Sequence, residues 1–182
     1  MPVTINGTSG LVTATSYAGS GGNLTGITTG KVLQVVQTTK TNVFTTTTTS
    51  YSDITGMSAN ITMTSASNKV LVMVQQQIMA DDAGTGIKIV RGSTDIFLGD
   101  ASGSRARHTV TGDYASGSGE NQYSGGGSFI CYLDTPGAGT HTYKVQCMTR
   151  GGTIYVNRTK RDSDDTNASR SASSITLQEV AV

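Results

Sequence analysis

Apolar residues in this chain occur in short runs separated by turn residues, and several runs follow the two-residue period of a β-strand. Residues 59–63 alternate between apolar and polar at every position, and residues 69–79 form the longest apolar-rich run. No segment shows the 3.6-residue period of an amphipathic helix. The pattern predicts an all-β, antiparallel body of about eight to ten short strands, either a sandwich or a barrel.

The predicted strands share β-branched or apolar residues and are bounded by Gly, Ser or Asp. They are residues 31–37, 42–49, 59–63, 69–79, 86–91, 95–98, 129–133, 142–148, 153–156 and 174–180, with 105–110 as a further candidate. The threonine tract within 42–49 suits a solvated or edge strand. A flexible linker is the alternative for this tract.

Residues 128–150 are predicted to form a β-hairpin, with 129–133 and 142–148 as its arms. A proline followed by two glycines marks the turn, because proline fixes φ for a type I or II turn and glycine accepts positive φ. Cys131 and Cys147 lie on opposite arms. A disulfide is conceivable, but one plausible register directs the two sulfurs to opposite faces. We therefore favour two buried free thiols.

The run 69–74 is apolar at every position after its first residue, so both faces of this strand need to be covered. One face can enter the core of a sandwich. The other needs either a neighbouring subunit or loops of the same chain, and both alternatives remain open. The candidate subunit-interface residues are Leu71 and Met73.

Residues 1–30 differ in composition from the remainder, being rich in glycine with only short β-like patches. Such a segment cannot bury enough apolar surface to fold by itself. We expect an extended attachment arm at 1–30, held by another chain, and one β-sandwich domain at 31–182. The candidate anchoring residues of the arm are Val3, Ile5, Leu11, Leu24 and Ile27.

Composition narrows the classes of partner. Charged residues make up 14% of the 182 residues and the formal net charge is +1, so we expect no nucleic-acid partner. No apolar run approaches the length of a membrane span, and the N-terminus lacks the basic and apolar regions of a signal peptide. We expect synthesis in the cytosol and no membrane insertion.

Motifs for catalysis or cofactor binding are weak. Residues 26–32 approach a phosphate-binding loop but are one residue short between the glycines and lack the hydroxyl that binds magnesium. His108 and His141 show no zinc-ligand spacing, and we expect each to be an exposed loop residue. Residues 162–167 offer carboxylates for calcium, although flanking basic residues favour a self-neutralised loop. We expect no enzyme activity, no cofactor and no metal.

Two long polar connections, 99–127 and 158–173, stand out between the predicted strands. Long loops on a β scaffold are where binding usually resides. The candidate surface-binding residues in these loops are Tyr114, Tyr123, Arg158 and Arg161.

From residue 30 onward, the order of elements resembles the small jelly-roll modules of tailed-bacteriophage virion proteins, particularly those of phages infecting cyanobacteria and other marine bacteria. The likeness is carried by GKVLQVV at 30–36, SNKVLV at 67–72, PGAGTHTY at 136–143 and ITLQE at 175–179. In the arm, VTING at 3–7 and GSGGNLTGI at 19–27 are similar to N-terminal segments of phage fibre proteins.

The resemblance implies a homotrimer with a fold similar to the tumour-necrosis-factor and complement globular-head jelly rolls, displayed on a virion surface. The implied partners are other virion proteins, either the major capsid protein or tail adaptor and nozzle proteins. We expect a non-enzymatic structural protein. Capsid decoration is favoured because 182 residues leave no shaft between arm and knob. The alternative is a tail fibre or adhesin module that binds host surface glycan through its loops.

Overall fold

The computed structural model describes residues 30–82, 84–114 and 126–182, without the side chains of Asp113 and Tyr114. The five candidate arm anchors and the loop residue Tyr123 lie outside the described residues, as does the side chain of the candidate Tyr114. The described part contains strands and no helix. The strands are β1 Val32–Lys40, β2 Phe44–Thr46, β3 Ser52–Met63, β4 Lys69–Ala80, β5 Thr85–Arg91, β6 Thr94–Ile96, β7 Val110–Tyr114, β8 Gly127–Asp134, β9 Gly139–Thr149, β10 Ile154–Val156 and β11 Ser173–Val180.

Eight of these strands form two antiparallel sheets. The front sheet has the order β1-β11-β4-β8, and the back sheet has the order β3-β9-β5-β7. Among these eight, every connection along the chain crosses from one sheet to the other, except the one from β5 to β7. This interleaved order is that of a jelly roll. The predicted all-β jelly-roll sandwich is confirmed.

Strand β4 joins the two sheets. Most of its length pairs with β11 on one side and β8 on the other. Its last residues pair with β10 and, in parallel, with β7, which itself pairs with β5 in the back sheet. The short strands β2 and β6 pair with β10 and β5 respectively. One continuous strand therefore hydrogen-bonds to four others.

The core lies between the inward faces of the two sheets. Along β4, Val70, Val72 and Val74 are buried in the core, whereas Leu71 and Met73 point away from it and are half-buried. Alternation of this kind is expected because successive side chains of a strand point to opposite faces. The core side chains contributed by the other strands include Ile54, Met57, Ile61, Ile87, Ile89, Ile130, Tyr143, Val145, Ile175 and Leu177.

The predicted hairpin at 128–150 is wrong. Residues 129–133 belong to β8, which pairs with β4 in the front sheet, while 142–148 belong to β9, which pairs with β3 and β5 in the back sheet. The turn between them crosses the sandwich, and Gly137 and Gly139 adopt φ angles of 85° and 101° there. A sharp turn looks alike in sequence whether the strands pair or stack.

Cys131 and Cys147 consequently lie in different sheets and are free thiols. Cys147 is buried as predicted, and its burial raises the pKa of the thiol to about 12. Cys131 is exposed, because its position in β8 points away from the core. The expectation of two buried thiols is therefore wrong for Cys131.

The largest differences from the predicted strand boundaries are at three places. Strand β3 begins at Ser52 rather than at residue 59; a bulge containing Gly56, with a φ angle of 86°, interrupts the alternation in its first half, so the sequence pattern did not show that half. The predicted strand 42–49 shortens to Phe44–Thr46. The candidate strand 105–110 is a loop except for its last residue, where β7 begins.

A buried carboxylate ties three parts of the chain together at one end of the sandwich. Glu179 of β11 is fully buried and accepts hydrogen bonds from Gln34 Nε2 of β1 at 2.6 Å and Asn68 Nδ2 at 2.6 Å. It also accepts from the backbone nitrogen of Thr64 at 2.8 Å and from its hydroxyl at 2.7 Å. Burial by itself would raise the pKa of Glu179, but these hydrogen bonds lower the pKa to about 2.

We expect Glu179→Gln to lower the free energy of unfolding by about 2 kcal/mol at pH 7, since it removes a fully hydrogen-bonded charge. The pKa of about 2 in the folded state lies below the ordinary value of 4.5. The stabilisation is therefore present above about pH 5 and is lost as the pH falls towards about 2. Urea unfolding at neutral and acidic pH measures both effects.

Asp53→Asn is the control for this substitution, because Asp53 is an exposed carboxylate on the back sheet. It should cost less than about 1 kcal/mol. Equal losses for the two variants at neutral pH would contradict the role assigned to Glu179.

Candidate functional site

The outer surface of the front sheet brings together the residues that best fit an interface. Twelve outward side chains form three rows across β1, β11, β4 and β8, as the strand register defines them. The rows are Val35, Gln178, Leu71 and Leu133; Gln37, Thr176, Met73 and Cys131; and Thr39, Ser174, Gln75 and Phe129. We call these twelve residues the front face.

The front face has no charged side chain, and half of its members are apolar. Phe129 is 65% exposed, Val35 57% and Leu133 46%, which are high values for such side chains. A contiguous uncharged surface with exposed aromatic and aliphatic groups is typical of a protein interface.

The structure places both predicted interface residues, Leu71 and Met73, on the front face. Leu71 lies opposite Leu133, and Met73 lies opposite Cys131. The contribution of β8 to this surface was not among the predictions. The signal was present, because residues 129–133 read Phe-Ile-Cys-Tyr-Leu and so give β8 apolar side chains on both of its faces, as 69–74 do for β4.

The outer surface of the back sheet has the opposite character. Lys144 Nζ lies 2.8 Å from Asp53 Oδ2, and Gln146 Nε2 donates to Asp53 Oδ1 at 2.6 Å. Lys88 Nζ lies 2.6 Å from Asp95 Oδ1. These charged groups are exposed or half-buried and form ion pairs within the same subunit. They therefore need no partner from a second subunit.

The predicted binding residues Arg158 and Arg161 form bonds within their own loop. The guanidinium of Arg158 lies 4.6 Å from the centre of the Tyr155 ring and pairs with Asp162, which also pairs with Arg170. Arg161 Nε donates to the hydroxyl of a serine two positions later, at 3.0 Å. The expected neutralisation by flanking basic residues is confirmed for Asp162.

A cavity of about 400 Å³ adjoins this loop and is lined by residues 162–165 and 168–170. Its Asp165 accepts hydrogen bonds from the backbone and side chain of Asn167 at 2.9 and 3.1 Å. Within the described ranges, no group of three or more His, Cys, Asp or Glu side chains is placed to hold a metal ion.

The two histidines lie apart and are both half-buried, which corrects the expectation of exposed loop residues. His108 Nδ1 is hydrogen-bonded to the hydroxyl of Tyr51, and His141 Nε2 lies 3.2 Å from the carbonyl oxygen of Gly137. Burial and the nearby Arg150 lower the pKa of His108. Burial, followed by the charge of Asp95, raises the pKa of Tyr51 to about 12.

The second buried carboxylate, Asp134, also has a structural role. Its Oδ2 accepts hydrogen bonds from Arg91 Nη1 at 2.6 Å and from the hydroxyl of Tyr143 at 2.7 Å. Burial and Asp134 together raise the pKa of Tyr143. Both buried carboxylates, Glu179 and Asp134, thus have hydrogen-bonding partners that fix loops and strands to one another.

Comparison with protein-family models and with curated proteins finds no match to this sequence. In the part of the chain that the structure describes, no helix has the length and apolar composition needed to cross a membrane.

Proposed function

We propose that this chain is a non-enzymatic structural protein of a tailed-phage virion. Its jelly roll forms a trimeric knob, and residues 1–30 attach the knob to the particle. The front face supports the proposal of assembly, and the resemblance of the sequence to phage virion modules supports the location. Capsid decoration is the favoured role.

The front face is the observation that carries the proposal. Burial of an exposed Phe, Leu or Val side chain contributes about 1.5 to 3 kcal/mol, and this face presents one of each without any charge that would need a partner. The back sheet pairs its own charges and needs no second subunit. In a three-fold assembly each subunit would bury its front face against a different surface of its neighbour, because pairing of the same face on two copies gives a two-fold dimer.

A backbone hydrogen bond just before β1 shows where the proposed arm joins the sandwich. Gly30 N donates a hydrogen bond to the carbonyl oxygen of Ala181 at 3.3 Å, which fixes the end of the arm beside the last strand of the front sheet. Three front faces packed together would bring three arm origins to one side of the knob. This arrangement suits attachment at a single site on a particle.

We expect the wild-type chain to be a trimer at micromolar concentration and Leu133→Lys to be a monomer. The substitution places a charge within the proposed apolar contact, but Leu133 is 46% exposed within one subunit, so the subunit should still fold. Sedimentation equilibrium measures the mass, and thermal unfolding checks the fold.

Asn60→Lys is the matched control, because it adds the same charge to an exposed position of the back sheet. It should leave the trimer intact. A monomeric wild-type chain, or a trimer that survives Leu133→Lys, would overturn the proposed assembly.

The two thiols give an independent readout of the same assembly. We expect Cys131 to be alkylated about tenfold more slowly in the wild-type chain than in Leu133→Asn, because assembly covers the front face and the neutral asparagine adds no charge beside the thiol. Cys147 should remain unmodified in both until the chain is unfolded, since it is buried in the core. Mass spectrometry of the alkylated peptides distinguishes the two sites. Equal rates at Cys131 in both proteins would contradict the covering of this face.

The role on the particle is tested with virions that carry or lack this protein. A decoration protein should raise the temperature at which capsids release their genome, and a density map of the whole virion should show the knob on the capsid. Equal heat stability of the two kinds of particle would contradict the decoration role.

The second candidate function is a tail fibre or adhesin module that binds host surface glycan. It is favoured by a groove at residues 99–111 that carries two arginines, within one of the long connections. Binding of the purified protein to host cells, together with a tail position in the virion map, would support this function over decoration.

A further inference from the structure

The loop that connects β6 to β7, together with the start of β7, forms a groove of about 460 Å³. Apolar surface makes up the larger part of its lining, and polar and charged side chains supply the rest. The side chains that matter for its chemistry are those of Asp100, Ser102, Arg105, Arg107, Thr109 and Thr111.

The loop that forms the groove is fixed to the sandwich at several points. The hydroxyl of Tyr51 donates to the carbonyl oxygen of Arg107 at 2.9 Å, and Thr109 N donates to the carbonyl oxygen of Ile87 on β5 at 2.8 Å. His108 packs directly on Gly86, where any Cβ would lie 2.2 Å from the imidazole. The groove is therefore a defined part of the fold.

Hydrogen bonds within the loop also position both arginines. Arg107 Nε donates to the carbonyl oxygen of Gly99 at 2.6 Å, and Gly99 N donates to the carbonyl oxygen of His108 at 3.1 Å. Arg105 Nη1 donates to the hydroxyl of Ser102. Each guanidinium has five N–H groups, so further donors remain on both.

The positive charges of the two groove arginines are not neutralised by ion pairs with the described residues. The ion pairs of the described residues use other cations, namely Lys88, Arg91, Lys144, Arg158 and Arg170. Neither Arg105 nor Arg107 forms an ion pair with a described residue, and Asp100 is the single carboxylate in the lining. Two planar cationic groups beside several hydroxyls match the geometry of a carboxylate, sulfate or phosphate.

We propose that this groove binds an oxyanion through Arg105 and Arg107, and that the oxyanion is borne by an acidic saccharide. Ser102, Thr109 and Thr111 line the same groove. The Ser102 hydroxyl accepts from Arg105 and Thr109 Oγ1 accepts from the backbone nitrogen of Ile89, so these two hydroxyls offer their own hydrogens to sugar oxygens. The inference deepens the adhesin candidate by naming its ligand class. It does not depend on the trimer, because every lining residue comes from one subunit.

Calorimetric titration of the full chain at constant ionic strength tests the proposal with four ligands. Glucuronate carries the carboxylate on a sugar, glucose is its neutral counterpart, and sulfate and phosphate are free oxyanions. We expect glucuronate to bind, glucose not to bind, and the free anions to bind more weakly than glucuronate. Equal or tighter binding of free phosphate or sulfate would overturn the saccharide assignment.

The double variant Arg105→Gln with Arg107→Gln should weaken glucuronate binding by about tenfold or more. The matched control is Lys31→Gln with Lys160→Gln, which removes the same charge from two lysines outside the groove. An equal loss in both double variants would show attraction by net charge and overturn the site, as would the absence of glucuronate binding to the wild-type chain. Either result would leave the sedimentation measurements of assembly unaffected, so the two proposals fail separately.

Discussion

Strand β4 holds the two sheets of the sandwich together. It hydrogen-bonds to β11, β8, β10 and β7, so it links the front sheet to the back sheet within a single extended segment. Its valines fill the core while Leu71 and Met73 face outward. A strand with apolar groups on both faces is stable in water only when both faces are covered. The core covers one face of β4, and the other face lies on the front face, where the proposed subunit contact would cover it.

The two outer surfaces of the sandwich differ in the number of charged side chains. The back sheet pairs Asp53 with Lys144 and Lys88 with Asp95, whereas the front face has no charge. This asymmetry is the observation behind the proposed assembly, because interface cores are depleted of charge whereas solvated surfaces retain it.

Buried polar groups fasten the connections of a chain with few aromatic residues and no tryptophan. Glu179 joins β1 and β11 to the turn after β3, and Asp134 joins the end of β8 to Arg91 and Tyr143. Asn157 is fully buried with a φ angle of 61°, and its Nδ2 donates to the carbonyl oxygen of Lys40 at 2.8 Å. Directional hydrogen bonds thus hold loops to strands where large side chains are scarce.

Three properties could be read from the sequence alone, because they follow from the local period of the side chains. They are the all-β class, the positions of most strands, and the apolar character of residues 69–74 on both faces. The sequence also singled out Leu71 and Met73, which the structure places on the front face. Only the tertiary structure decided that β8 and β9 stack in different sheets, since a sharp turn permits either arrangement. That decision placed Cys131, Leu133 and Phe129 beside Leu71 and Met73. It likewise brought Tyr51 and His108 under the arginine-lined groove, because contacts between residues distant in sequence leave no local period to read.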